Sequence, residues 1–142
     1  MPKILVAVDG SENSARVVEY LAAKSAWYKE PVEVHLLNVQ FPLAGVNVKL
    51  FISKDSLNEY YHDEGVAALK QARETLDAAG IKYGHHISVG DPAEVITQYA
   101  ETKGCDQILM GSRGLGAVSG LVLGSVATKV IHLAKVPVTL VK

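Results

Sequence analysis

The stretch KILVAVDGS, Lys3–Ser11, decides the fold. After Lys3 it runs through Val8 without a polar residue. A strand with one face in water alternates apolar and polar positions. One that does not alternate is buried on both faces, as in a parallel sheet covered by helices. The run stops at Asp9-Gly10-Ser11, where the chain turns and either Ser11 or Asp9 can cap a helix.

Outward from this stretch the pattern repeats. From about Asn13 to Tyr28, the residues Ala15, Val18, Leu21, Ala22 and Ser25 recur at helical spacing. Pro31 interrupts them, and Val32–Val39 (VEVHLLNV) is a second strand. Between Gln40 and Asp55 the alternation of Val46, Val48 and Leu50 fits a short hairpin, and a loop fits as well. A long helix follows from about Ser56 to Ala79, with Gly80 at its C′ position and a charged, solvated face over Glu59–Glu74. Lys82–Val89 is a third, less apolar strand. Asp91-Pro92-Ala93-Glu94 combines an N-cap, a proline at the first helical position and a glutamate in capping-box position; the helix it opens should end near Gly104. Asp106–Met110 is a fourth strand, Ser125–Ala134 a last helix, and Pro137–Lys142 a fifth strand.

Strands that alternate with helices argue for a parallel α/β sheet with helices on both faces. Right-handed crossovers then bring the loops Asp9–Ser11 and Gly111–Leu123 to one edge of the sheet, at the carboxyl ends of their strands. Ligands of such sheets lie in the crevice where strand order reverses.

Composition narrows the function classes. The length of 142 residues suits one domain with one core. A hydrophobic fraction of 49% with 20% charged residues marks a globular chain rather than a disordered one. The net charge is −1 and no Lys/Arg block stands out, which argues against a nucleic-acid footprint. Met1-Pro2-Lys3 leads directly into the first strand without a signal-cleavage pattern, and no apolar stretch approaches the ~18 residues of a membrane span. A single cysteine, Cys105, leaves no internal disulfide framework and suits a reducing compartment. A cytoplasmic protein is expected.

The remaining signal is GSRGLGAVSGLVLGSV, Gly111–Val126. No Gly-Lys-Ser/Thr occurs, so it is not a P-loop. Gly114-Leu115-Gly116 is followed by Gly120, one residue late for the dinucleotide fingerprint, and it follows the fourth strand rather than the first. What remains is Gly111-x-x-Gly114 and, nine residues on, Gly124-Ser125. Glycines directly after a strand let backbone N–H groups approach an anion, and a helix opening at Gly124-Ser125 favours a phosphate through its free N–H groups and dipole. Ser125 can cap that helix or bond an oxygen, and Arg113 supplies charge. The plainer alternative is that these glycines only turn a loop and permit close packing.

Taken together, KILVAVDGSENS, GDPAEVI, the G-x2-G-x9-G-[S/T] spacing and DQILMGSRGLG…LGSVATKVIHLAKVPVTLV resemble the universal stress protein family over essentially the whole chain. The spacing is that of its ATP-binding branch. The resemblance implies one domain over residues 1–142. Its fold would be a three-layer α/β/α sandwich, Rossmann-like and of the adenine nucleotide alpha hydrolase type. The five-stranded parallel sheet would have the order 3-2-1-4-5. It implies ATP, with or without Mg²⁺, as ligand. Asp9 would bond the ribose and Val39 would contact adenine; Met110 and Gly111 would flank base and sugar. Arg113, Gly114, Gly124, Ser125 and Val126 would surround the phosphates, with Ala7, Val8, Asn38 and Ala127 completing the site. ATP-binding members can carry a hydroxyl residue at the Ala127 position. The resemblance also implies a homodimer, and Val138–Val141, a short apolar strand at a sheet edge, is a natural pairing surface.

Other chemistry is weaker. His85 and His86 are neighbours in a strand and point to opposite faces, while His35 and His132 lack ligand spacing, so no metal site is expected. Cys105 has no neighbouring base and is a small apolar residue rather than a nucleophile. Trp27, Tyr60 and Tyr61 lie on helical segments, as packing or interface residues. Slow ATP hydrolysis or autophosphorylation, and a dimeric interaction module without nucleotide, remain as alternatives; no Walker lysine or paired carboxylates support fast phosphoryl transfer.

Overall fold

The computed structural model describes residues 1–43, 53–115 and 123–142. In chain order the elements are β1 (Lys3–Ala7), α1 (Glu12–Lys24), β2 (Glu33–Gln40), α2 (Lys54–Ala78), β3 (Tyr83–Val89), α3 (Pro92–Thr102), β4 (Gln107–Gly111), α4 (Ser125–Leu133) and β5 (Val138–Val141). The strands form one five-stranded sheet in the order β3-β2-β1-β4-β5, and every pairing is parallel. The expected hairpin at Val46, Val48 and Leu50 lies outside the described residues.

β1 is the centre of the sheet, and its lack of alternation has the expected cause. Ile4, Leu5 and Val6 are fully buried. Ile4 and Val6 pack with Val17, Val18 and Leu21 of α1 and with Leu69, Ala72 and Leu76 of α2. Leu5 faces the other way, with Leu37, Ile108 and Met110, against Ala93, Ile96 and Ala100 of α3 and Ala127 and Val130 of α4. The sandwich therefore has three layers, with α1 and α2 on one face of the sheet and α3 and α4 on the other. Among the described residues no helix is long and apolar enough to cross a membrane.

Local chemistry sets the helix ends. Ser11 is the N-cap of α1, its hydroxyl accepting the Ser14 N–H at 3.1 Å, so the capping role falls to Ser11 and leaves Asp9 free for other partners. α1 is shorter than the periodicity predicts: it ends at Lys24, and a single 3₁₀ turn, Ser25–Trp27, takes the chain off the sheet. Trp27 is consequently 74% exposed, with the Lys24 ammonium 4.2 Å from its ring centroid. Asp91 caps α3 by accepting the Glu94 N–H at 3.1 Å, and Pro92 occupies the first turn. The Glu94 carboxylate lies instead 3.5 Å from Lys129 of α4.

The chain passes from β1 outward through β2 to β3, then crosses to β4 on the other side of β1. The order reverses between β1 and β4, which puts a crevice beyond their carboxyl ends.

Candidate functional site

β1 ends at Ala7, and the Val8 N–H still bonds to the Leu37 carbonyl at 2.9 Å. Asp9 is thus the first residue freed from the ladder. Its Oδ1 accepts the Ser11 N–H at 2.9 Å and its Oδ2 accepts the Leu115 N–H at 3.0 Å, so one carboxylate joins the β1 turn to the loop after β4. Beside it, the buried Asn38 donates to the Val8 carbonyl at 2.8 Å and accepts from the Gln40 amide at 2.6 Å.

The glycines after β4 have a steric origin. Gly111, Gly114 and Gly124 are not among the glycines with positive φ, so handedness does not require them. A Cβ on Gly111 would stand 2.7 Å from the Asn13 Oδ1. A Cβ on Gly114 would overlap the Asp9 Oδ2. Close packing by the protein's own polar side chains therefore explains both positions, alongside any role toward an anion. Asn13, buried in the first turn of α1, accepts the Arg113 N–H and donates to the Val141 carbonyl, both at 2.8 Å. It ties the loop to the end of β5.

α4 begins differently from the other helices. Gly124, not Ser125, is its N-cap, and Ser125 is the first helical residue. The Gly124 N–H reaches back to the Ser112 carbonyl at 2.7 Å, and a Cβ there would lie 3.3 Å from the Arg113 Cα. The Thr128 N–H closes the first turn on the Gly124 carbonyl at 3.0 Å. The N–H groups of Ser125, Val126 and Ala127 therefore have no partner within the helix. Ser11, Ser53 and Asp91 supply a side-chain cap at the other helices, whereas Gly124 has none to offer.

These features meet in one cleft of about 600 Å³ beyond the carboxyl ends of β1, β2 and β4. Every residue that the family resemblance assigns to the site lines it: Ala7, Val8, Asp9, Asn38, Val39, Met110, Gly111, Arg113, Gly114, Gly124, Ser125, Val126 and Ala127. The size is that of a small-molecule site. Met110 and Ala127 are almost wholly buried, and Val39 and Val126 pack beside them, so these side chains form the wall on the α3 and α4 side. The Ala127 methyl belongs to that core.

Sequence reasoning missed a second group. Phe41, Leu43 and Tyr60 also line the cleft and are exposed, Phe41 at 63%. Leu43 is held to α2 because its N–H donates to the buried Tyr61 hydroxyl at 2.6 Å. Their spacing along the chain carries no sign that a strand end and a helix start meet. Asn13 gave no signal either, as a polar residue in a first turn is ordinarily solvated.

His35, Glu33 and Cys105 do not line this cleft. His35 is held between Glu33, at 2.7 Å, and the Tyr99 hydroxyl, at 2.8 Å. The hydrogen bond from His35, helped by the charge of Lys3, holds the Glu33 carboxyl below its ordinary value. Burial pushes the Cys105 thiol up, in keeping with an unreactive side chain.

The model of the universal stress protein family matches residues 1–142. The chain belongs to the universal stress protein family. It is similar to the universal stress protein YxiE of Bacillus subtilis, 30% identical, with 99% of this chain and 98% of that one covered. Among solved structures, that of the hypothetical protein MJ0577 of Methanocaldococcus jannaschii superposes with a TM-score of 0.83 at 31% identity, covering 99% of this chain and 94% of the other. A universal stress protein family member from Arabidopsis thaliana, solved with AMP bound, shares the fold at a TM-score of 0.70 and 22% identity, covering 100% of this chain and 92% of that one.

Proposed function

We propose that this universal stress protein binds an adenine nucleotide, ATP with or without Mg²⁺, in the cleft, and acts in the cytoplasm as a homodimeric regulator of the stress response. The observation that carries the nucleotide assignment is the start of α4. Three helical N–H groups without a side-chain cap among the described residues open onto a cleft that also holds Gly114 and Arg113. A helix N-terminus beside a cation is a phosphate site, since the free N–H groups and the dipole both favour negative charge. The AMP-bound relative from Arabidopsis supports the choice of adenine nucleotide. In this assignment Arg113, Gly114, Gly124, Ser125 and Val126 surround the phosphates, Asp9 bonds the ribose, Val39 contacts the base, and Met110 and Gly111 lie between base and sugar.

Calorimetric titration with ATP and Mg²⁺, after unfolding and refolding to strip copurified nucleotide, tests it. Micromolar binding is expected. Arg113→Gln should weaken ATP more than AMP, because the lost charge acts on the outer phosphates. A flat titration of the folded protein refutes the assignment.

For the dimer, β5 offers an open edge. The Ile108 N–H bonds to the Pro137 carbonyl and the Ser112 N–H to the Val141 carbonyl, so by parallel alternation the backbone groups of Val138 and Leu140 point away from β4. Their side chains, however, pack into the core beside Ile108 and Met110. Asp substitutions there would damage the fold as well as the edge. Leu140→Pro removes an outward donor at a position that an edge strand tolerates. Sedimentation should then show a dimer become a folded monomer; an unchanged dimer moves the interface elsewhere.

A further inference from the structure

Within the cleft, a negative charge already lies against Gly114, one of the residues assigned to the phosphates. The Asp9 Oδ2 accepts the Leu115 N–H at 3.0 Å and rests against Gly114, where any side chain would collide with it. The Oδ1 is held from the other side by the Ser11 N–H at 2.9 Å. Asp9, Gly114, Leu115 and Arg113 all line the same cleft. We infer that Asp9 is a built-in anion: its carboxylate latches Leu115 beside Gly114 and opposes entry of the outer phosphates.

This inference rests on the nucleotide assignment and adds an antagonistic role for a residue otherwise assigned to the ribose. The physical basis is the placement of a fixed charge among the backbone donors. A phosphate held beside Gly114 and Arg113 must tolerate the carboxylate that rests against Gly114, or bring a cation that screens the two. A like charge about 4 Å away weakens binding about fivefold even at the dielectric constant of water.

The test separates the latch from the ribose contact by using inorganic tripolyphosphate, which has no sugar. Calorimetry compares wild type with Asp9→Asn, while ATP is titrated into wild type in parallel. An amide has one acceptor oxygen, so the Asp9→Asn side chain cannot hold both N–H groups and carries no charge. Asp9→Ser, which keeps a short acceptor near Ser11, serves as a second variant if Asp9→Asn folds poorly. Tripolyphosphate should bind the variant at least about fivefold tighter than wild type. The Leu115 amide should also exchange faster in the ligand-free variant. Equal or weaker tripolyphosphate binding, with ATP binding intact in wild type, overturns the latch and leaves the nucleotide assignment standing. If neither ATP nor tripolyphosphate binds any folded variant, both fall together.

Discussion

Gly114 and Asp9 should be coupled energetically in the ligand-free protein, and a double-mutant cycle measures by how much. Among the described residues, the groups that a Cβ on Gly114 would meet belong to Asp9 alone: it overlaps Oδ2 and lies 3.7 Å from Cγ. Gly114→Ala therefore expels the carboxylate from the Leu115 N–H while leaving the Ser11 N–H within reach. A hydrogen bond to a charged group contributes about 1.5–3 kcal/mol, and Leu115 is 71% exposed, so the lower end applies. Gly114→Ala should cost about 1.5 kcal/mol. Asp9→Ala, which loses both bonds, should cost about 2–3 kcal/mol. In the Asp9→Ala background the obstruction is gone, and Gly114→Ala should be neutral or stabilise by up to about 1 kcal/mol, since alanine restricts the unfolded chain and Gly114 does not need positive φ. The double variant should thus be about 1.5–2.5 kcal/mol more stable than the sum of the single effects predicts. Urea unfolding of all four proteins without nucleotide is the assay. Additivity within about 0.5 kcal/mol, the behaviour of independent sites, would refute the steric account of Gly114.

Other predictions follow the same logic. Gly65 in the middle of α2 lets the helix approach β3, because a Cβ there would lie 2.6 Å from Ile87. Gly65→Ala should destabilise by about 1–3 kcal/mol in urea melts, and an Ile87→Ala background should remove most of that cost. The Lys129 ammonium, 3.0 Å from Asp91, holds the Asp91 carboxyl below its ordinary value, and Asp91 raises the Lys129 pKa in turn. A depressed carboxyl stabilises the fold above its unfolded pKa of about 3.9 and loses that effect as pH falls through the folded value; a raised ammonium stabilises below about 10.4 and loses it as pH rises through the folded value. The stability difference between wild type and Lys129→Met should therefore be flat near neutrality and fade at both extremes; a difference independent of pH would exclude the ion pair as its source. Cys105 is 4% exposed and its thiol is pushed up by burial, so alkylation at mildly alkaline pH should be many-fold slower in the native protein than in urea.

Much of the architecture was legible because it depends on local pattern. The unbroken apolar run of Lys3–Val8 signalled a strand covered on both sides, and the cap at Asp91-Pro92 marked a helix start that the structure reproduces to the residue. The G-x2-G-x9-G-[S/T] spacing pointed to residues that do line one cleft. The details that stayed open all depend on what lies across space. Ser125 could cap its helix or bond an oxygen, and the tight approach of Gly124 to Arg113 and Ser112 gives the cap position to Gly124, with the helix starting at Ser125 as expected. Val138–Val141 is the edge strand that the sequence suggested, and only the sheet shows that pleating turns the Val138 and Leu140 side chains into the core. Tyr60 read as a packing or interface residue and Phe41 carried no marker, since a strand end and a helix start become neighbours only after the sheet has formed.

By itself, the amino-acid sequence determined the alternation of strands and helices, the parallel sheet, the edge at which a ligand belongs and the family. The first three depend on periodicity and capping within a few residues, and the family on resemblance over essentially the whole chain. Only the tertiary structure decided why Gly111 and Gly114 must be glycines, which donors Asp9 engages and how Asn13 joins the loop to β5. Most of those contacts join residues far apart in the chain, and steric exclusion between such residues has no counterpart in local sequence.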